Sequence, residues 1–507
     1  MSGIPQSNRL WPKTRVASLL ALLLVATGWK FRPPGFDPRR WLTDKAYIER
    51  QLRERYVNLD WAAERGSPDP RKLDRDVTVA LRNARSDGEA RTILRGFVRS
   101  FGDGHMGLRR ANAPSLTPEA DPDVLLSRFT PAKTACRALK FDRSAEETLS
   151  FRFEGNPGFR PREGDSSFAS AVLDFEGRRF GFVRIGSFSE RHYAGACLRE
   201  WPFFRETLRG TCEADCRFKF DLRVTDRLLR EIAARIRELE RAGTQILVID
   251  VTGNPGGHGW YRLAAQLFSA RRLPPLRAAY VKNPDTVDSL AEDRRQVAHY
   301  LRRNLAPALR STLEQAVCRL DDLIAEAKIP CDSTYIWAGR PRQAGCSRLT
   351  TRPLYDAGVL DSYDGPGLPF EVQSGIFFDA VYRPPQPVWH GPVAVLIDED
   401  TASAAELFAG ILKHVGGVTL VGRHSASTGS GWSLGRRPWI LPESKMQLYI
   451  PDTVAYWPDG ANAREGLEPD IPTRWRPGED PTLMGKQLLK ALRSLDFTPK
   501  PQPSVVR

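Results

Sequence analysis

Three short stretches of this chain hold residue types that can do chemistry together. The first is Thr401-Ala402-Ser403-Ala404-Ala405-Glu406. Ser403 follows the apolar run Val393–Ile397 and opens a stretch of helical character that reaches Lys413. A serine there sits among unpaired N–H groups and the positive end of the helix dipole, which favour an attacking alkoxide or an oxyanion. The same residues also spell Ser-x-x-Glu, the pattern of a capping box, in which Ser403 and Glu406 do no more than close a helix end.

The second stretch is Gly253-Asn254-Pro255-Gly256-Gly257-His258-Gly259. Glycines let backbone N–H groups face a carbonyl oxygen, as an oxyanion hole requires. A plain turn uses the same residues, and the spacing is not the Gly-x-Gly-x-x-Gly of a dinucleotide loop. The third is Gly102-Asp103-Gly104-His105. It fixes an imidazole, which titrates near neutral pH, on a tight turn, a placement suited to a general base. A single loop histidine is otherwise ordinary surface. His192, His299, His390 and His414 have no such frame, whereas His258 and His424 lie in loops near the other stretches.

Elements must bring these stretches together. From Trp41 to Phe101 apolar residues recur at three- and four-residue spacing, with breaks at Gly66-Ser67-Pro68 and Asp87-Gly88, and predict roughly three helices ending at the His105 turn. Residues 106–170 read as a linker with short strands. Ala171–Phe175 and Phe180–Ile185, joined through Glu176-Gly177, predict a hairpin. An amphipathic helix over Asp226–Ala242 leads into the buried strand Gln245–Val251. Residues 260–383 read as a helical and loop insertion. The strand Val393–Ile397, a helix from Ser403 and the strand Val418–Val421 then form a crossover unit, which argues for an α/β core over 171–475. A C-terminal helix and a Pro-rich tail occupy 476–507.

The chain has 507 residues, enough for two or three domains, and its 41% hydrophobic and 27% charged fractions are those of a globular protein. Its formal charge is +14, but the basic residues are dispersed arginines without a long run, so nucleic acid is not an expected partner. Arg9, Lys13 and Arg15 precede an uncharged stretch from Val16 to Trp29, the order of a signal peptide or a membrane anchor over 1–29, and hence of an exported, periplasmic or extracellular protein. Seven cysteines are too few for a disulfide scaffold. Export would oxidise some of them. Cys331–Cys346 and one pair drawn from Cys197, Cys212 and Cys216 are the expected bridges, with one thiol of that trio left over; buried reduced cysteines are the alternative. No metal or organic cofactor is expected.

Taken in order, the motifs resemble the C-terminal-processing (tail-specific) and tricorn-type serine peptidases. The resemblance rests on Tyr56-Val57-Asn58-Leu59-Asp60-Trp61, the His105 turn, Gly181–Phe188, Ile249–Gly257, Thr401–Glu406, Leu420-Val421-Gly422 and Gly466-Leu467-Glu468-Pro469-Asp470. It implies a Clp protease/crotonase-like core of strand–helix units and attack on a peptide carbonyl by Ser403. It further implies an oxyanion hole from the N–H of Ala404 and one of Gly256 or Gly257. Relatives with a Ser–Lys dyad carry a lysine shortly after Leu-Val-Gly. Residues 422–431 contain none, and the tricorn-type branch instead implies His105 as base. An orienting acid is implied near Gly466–Asp470, with Glu465 and Glu468 as candidates and Ala463 where relatives often place it. Arg423 and Ser427 are alternatives for substrate binding. The interval 106–170 is short for the PDZ domain usual in such proteases and lacks its carboxylate-binding glycine loop. The competing reading is a catalytically silent protein that binds a peptide or apolar ligand on the same scaffold.

Overall fold

Side chains that alternate between two covered faces set the central sheet. In the computed structural model its seven strands run in the order Ile471–Pro472, Thr419–Gly422, Val393–Ile397, Ile246–Asp250, Arg178–Arg184, Ser170–Phe175 and Phe159–Arg162. The first five are mutually parallel, and Ser170–Phe175 runs antiparallel to both of its neighbours, Arg178–Arg184 and Phe159–Arg162. The structure describes residues 36–495, apart from 66–68, 115–123, 142–147, 154, 163, 165, 258, 270, 330, 339–344, 364–367, 369, 379–384, 433–437 and 477. The basic-then-apolar N-terminus, the Gly66-Ser67-Pro68 break, His258 and the Pro-rich tail therefore lie outside the described residues. Among the described residues no helix is long and apolar enough to cross a membrane.

Both faces of the sheet are covered. Val183, Leu247, Ile249, Val395 and Leu420 point to one side, against the helices Ala214–Arg241 and Ala404–Ile411. Phe182, Ile246, Val248, Leu396 and Val421 point to the other, against Phe151, Trp475 and the helix Pro481–Arg493. Burial on both faces explains why the parallel strands read as unbroken apolar runs. The hairpin turns at Glu176 (φ 49°) and Gly177 (φ 74°), the left-handed pair that a two-residue turn needs.

The expected helix from Asp226 starts twelve residues earlier, at Ala214, because Phe220 and Val224 extend its buried face. Cys212–Cys216 staples its start, and Cys136–Cys197 joins the helices Ala132–Ala138 and Ala194–Arg205. Cys331–Cys346 forms as expected, and Cys318 is the exposed free thiol. Cys136, which no expected pair included, is a long-range partner that spacing alone does not indicate.

In the N-terminal part, helices cover Pro38–Arg55, Leu59–Glu64, Pro70–Asn83 and Asp87–Arg99. Their core is completed by Leu441, Met446, Leu448 and Ile450 from the far end of the chain. Leu448 lies in the strand Gln447–Tyr449, which pairs with Gly107–Arg109 just beyond His105. The histidine turn is thereby tied to the peptide that follows Ser403. Within 106–170 the described elements are the strands Gly107–Arg109 and Phe159–Arg162 and the helix Ala132–Ala138. Between 260 and 383 the helices Pro284–Tyr300, Pro307–Ala327 and Phe370–Ile376 contribute to a separate cluster, and the strand Arg277–Tyr280 pairs with Thr453–Tyr456.

Candidate active site

Ser403 stands between the Val393–Ile397 strand and the Ala404–Ile411 helix, in a backbone conformation (φ 53°, ψ −123°) that L-residues avoid. Such a conformation costs about 1–3 kcal/mol and persists only where its surroundings enforce it. Here Ser403 N–H donates to Thr428 Oγ1, Ala402 N–H donates to Asn254 O at 2.9 Å, and Ser403 O accepts from Leu407 N–H at 3.0 Å. The Ser403 hydroxyl makes no capping hydrogen bond. Its oxygen lies 3.2 Å from His105 Nε2.

Glu406 does not close a capping box either. Its fully buried carboxylate accepts from Ser427 N–H at 2.7 Å, from Thr428 N–H at 2.6 Å and from the hydroxyls of Ser425 and Thr428. One carboxylate thus folds the loop 425–428 onto the helix, and Thr428 passes that order to the Ser403 backbone. A buried donor left without its acceptor costs about 1–3 kcal/mol. Glu406→Gln, which turns an NH₂ group toward one of these donors, is expected to lower Tm by several degrees. Hydrolysis should fall by roughly ten- to a hundred-fold, mostly in kcat, because the loop positions the nucleophile and not the substrate; thermal melts and steady-state kinetics read the two effects.

His105 is held through its turn. Asp103, with a buried side chain, accepts from His105 N–H at 3.0 Å, from Ser430 Oγ at 2.9 and 3.0 Å and from Tyr56 OH at 3.2 Å, and lies 3.5 Å from Arg464 Nε. Arg464 also donates to Ser427 O at 2.7 Å and to Phe101 O at 3.2 Å, joining the two sides of the site. Burial and then the Asp103 charge push the Tyr56 phenol well above its ordinary pKa, so it serves as a donor. A Cβ at Gly104 would come within 2.4 Å of Thr428 Cγ2; glycine there allows the turn to seat on the 428 loop. The imidazole meets Trp432 edge-on, with ring centroids 4.5 Å apart.

The glycine loop approaches Ser403 from the other side. Gly256 has φ 88°, and a Cβ there would fall 2.7 Å from Ser403 Cβ and 2.8 Å from Ala404 N. Gly257 (φ 151°) bridges to Phe188, where a Cβ would meet that backbone at 2.2 Å. Gly256 N–H is already donated to Asn254 Oδ1 at 2.8 Å. The N–H groups of Gly257 and of Ala404, the first helical residue, are then the candidates for receiving an oxyanion. Asp398 fastens this loop to the turn before Ser403, accepting from Gly253 N–H at 2.8 Å and from Thr401 Oγ1 at 3.1 Å.

Burial raises the Asp398 carboxyl to about 6. A carboxyl raised above its unfolded value favours the fold fully below the unfolded pKa and ceases to do so as pH rises through 6. Above pH 6 the charge costs at most about 3 kcal/mol, since each pKa unit corresponds to about 1.4 kcal/mol. Asp398→Asn keeps an accepting oxygen without the charge. It should be more stable than the parent at pH 8, with the advantage shrinking toward pH 4; denaturant melts at the two pH values check this.

A model of peptidase family S41 matches residues 179–473, which include four of the seven strands of the central sheet and nearly all of a fifth, the glycine loop and Ser403. The chain belongs to peptidase family S41. It is a serine-type peptidase. No curated protein matches the chain. Among solved structures it is similar to mature CPAF complexed with lactacystin, at 15% identity over 90% of this chain and 98% of that chain, with a TM-score of 0.54. Mature CPAF gives 15% identity, 91% and 99% coverage and a TM-score of 0.53. These neighbours bear on the fold, which is the Clp protease/crotonase-like α/β core expected from the resemblance.

In this S41 peptidase His105, Ala404 and Gly256 meet at Ser403, with Gly257 next to Gly256 in the same loop, while Glu465 does not join His105. The Glu465 carboxylate is engaged by Arg65 and by Trp61 Nε1, and its carbonyl oxygen contacts His424 Nε2 at 3.0 Å. Glu468 lies 3.5 Å from the same His424 nitrogen. Arg423 pairs with Glu399. Sequence reasoning missed Thr428, Ser430, Asn254, Asp398 and Arg464 as supports. Asp103 had a signal inside its own motif. Thr428 and Ser430 had only their place in a serine-threonine run, with nothing to indicate that Glu406 and Asp103 would receive them.

Proposed function

We propose that this S41 peptidase is an exported endopeptidase in which Ser403 attacks the scissile carbonyl with His105 as general base. The observation that carries the reading is the 3.2 Å separation of Ser403 Oγ and His105 Nε2. Neutral imidazole with its proton on Nδ1 accepts the hydroxyl proton at Nε2 as the Oγ–carbon bond forms. The carbonyl oxygen gains negative charge and is received by the N–H groups of Gly257 and Ala404, with Gly256 leaving room for it. Imidazolium then protonates the departing amine, and the acyl-enzyme is hydrolysed by water activated in the same way. Glu465 enters as a positioning residue, fixed by Arg65, that buttresses His424 and the 427 loop. The substrate is polypeptide.

Export is supported by the basic-then-apolar N-terminus and by three disulfides, which persist in oxidising compartments. A fluorophosphonate probe tests the chemistry. Labelling of the folded parent that disappears in Ser403→Ala is the expected result; a folded parent that never labels would sink the assignment.

A further inference from the structure

Beyond the reacting groups lies a cleft of about 390 Å³ at the edge of the sheet. It is lined by Arg423, His424, Glu468, Thr473, Arg474 and Arg476 among others. Gly422 and Pro472, also in its lining, are the last residues of two adjacent parallel strands. The cleft thus opens at the same carboxyl-terminal edge that carries Ser403 and the glycine loop, where open α/β sheets bind ligands.

Its charges do not balance internally. Arg423 is committed to Glu399, and Glu468 lies beside His424. Arg474 and Arg476 are exposed and have no ion-pair partner among the described residues; Glu479 receives only the backbone N–H of Arg476. Two free guanidinium groups in one concavity fit a planar oxyanion, which guanidinium binds in a bidentate fashion.

The cleft is also within reach of a bound peptide. Residues 423–428 run from its wall to Thr428, which holds Ser403, and five residues span at most about 17 Å. We propose that this cleft is a carboxylate-binding exosite for the peptide being cleaved, with Arg474 and Arg476 as the principal donors. The inference rests on the peptidase reading above. The carboxylate is either that of an acidic side chain or the terminal one of the peptide.

Binding is measured apart from cleavage, using Ser403→Ala protein and a set of fluorescent peptides followed by anisotropy. The set contains one sequence as the free acid, the same sequence amidated, and an amidated version with a glutamate added a few residues from the end. If the free acid alone binds tightly, the terminal carboxylate is the ligand; if the amidated glutamate peptide does so as well, a side-chain carboxylate suffices. In either case adding Arg474→Ala and Arg476→Ala should weaken binding of the favoured peptide about ten-fold or more and leave the neutral peptide unchanged. High salt should act in the same direction. Equal binding of all three peptides, or a carboxylate preference that survives the double substitution, overturns the exosite. Because fluorophosphonate labelling of the parent reports on Ser403 separately, failure here leaves the nucleophile assignment standing.

Discussion

Ser403→Ala and His105→Ala are each expected to lower peptide hydrolysis by about 10⁴- to 10⁶-fold, and the double variant to lose no more than the worse single one. The hydroxyl is a weak nucleophile until a base removes its proton, and the base does nothing without the hydroxyl, so the two losses describe one event. Structure should survive both changes. Ser403 Oγ makes no capping bond, so its loss unfolds nothing at the helix start. The His105 turn is held mainly through Asp103 and its partners Ser430, Tyr56 and Arg464, and those contacts do not require the imidazole. Single-turnover kinetics with folded variants check the claim. Additive losses, or a His105→Ala enzyme that still turns over at a tenth of the parental rate, would remove the pair from the mechanism.

The second large effect is expected at Gly256. A methyl group there would lie 2.7 Å from Ser403 Cβ and 2.8 Å from Ala404 N, contacts that backbone and a constrained serine cannot yield to. Its φ of 88° adds strain for any L-residue. Gly256→Ala should push the loop away from Ala404 and misplace the oxyanion donors, costing about 10²- to 10³-fold in kcat, the range seen when such a donor is lost. KM should change much less, since the donors act on charge that develops only in the transition state. A loss confined to KM would mean that the loop binds substrate and does not stabilise the oxyanion. Probe labelling should slow in parallel with kcat, because phosphonylation of Ser403 develops the same kind of charge.

These expectations draw unequally on sequence and structure. Hydrophobic runs marked Ile246–Asp250 and Val393–Ile397 because strands covered on both faces show no polar alternation. The start of the helix at Ala214 was harder to see, since its first three turns mix Lys219, Asp221 and Arg223 with the buried Phe220 and Val224. Ser403 illustrates the limit of a local pattern. Ser-x-x-Glu is compatible with a capping box, and only the left-handed backbone at Ser403 and the four donors that converge on Glu406 from 425–428 exclude it. The Tyr56–Trp61 stretch carried a resemblance without a role; the fold supplies one, through Tyr56 on Asp103 and Asn58 against Asn462.

By itself, the sequence determined the chemical types on offer: a serine after a buried strand, a glycine loop, a histidine on a turn, and no lysine where a dyad would need it. Residue types and short-range periodicity are local properties, and a chain displays them openly. The tertiary structure decided which groups meet. It brought His105 to Ser403 across 298 residues of separation, set Arg65 and not His105 on Glu465, and chose Cys136 for Cys197. Such contacts depend on how helices and strands pack at long range, and the burial energy that drives this packing has no signature in any short stretch of the chain.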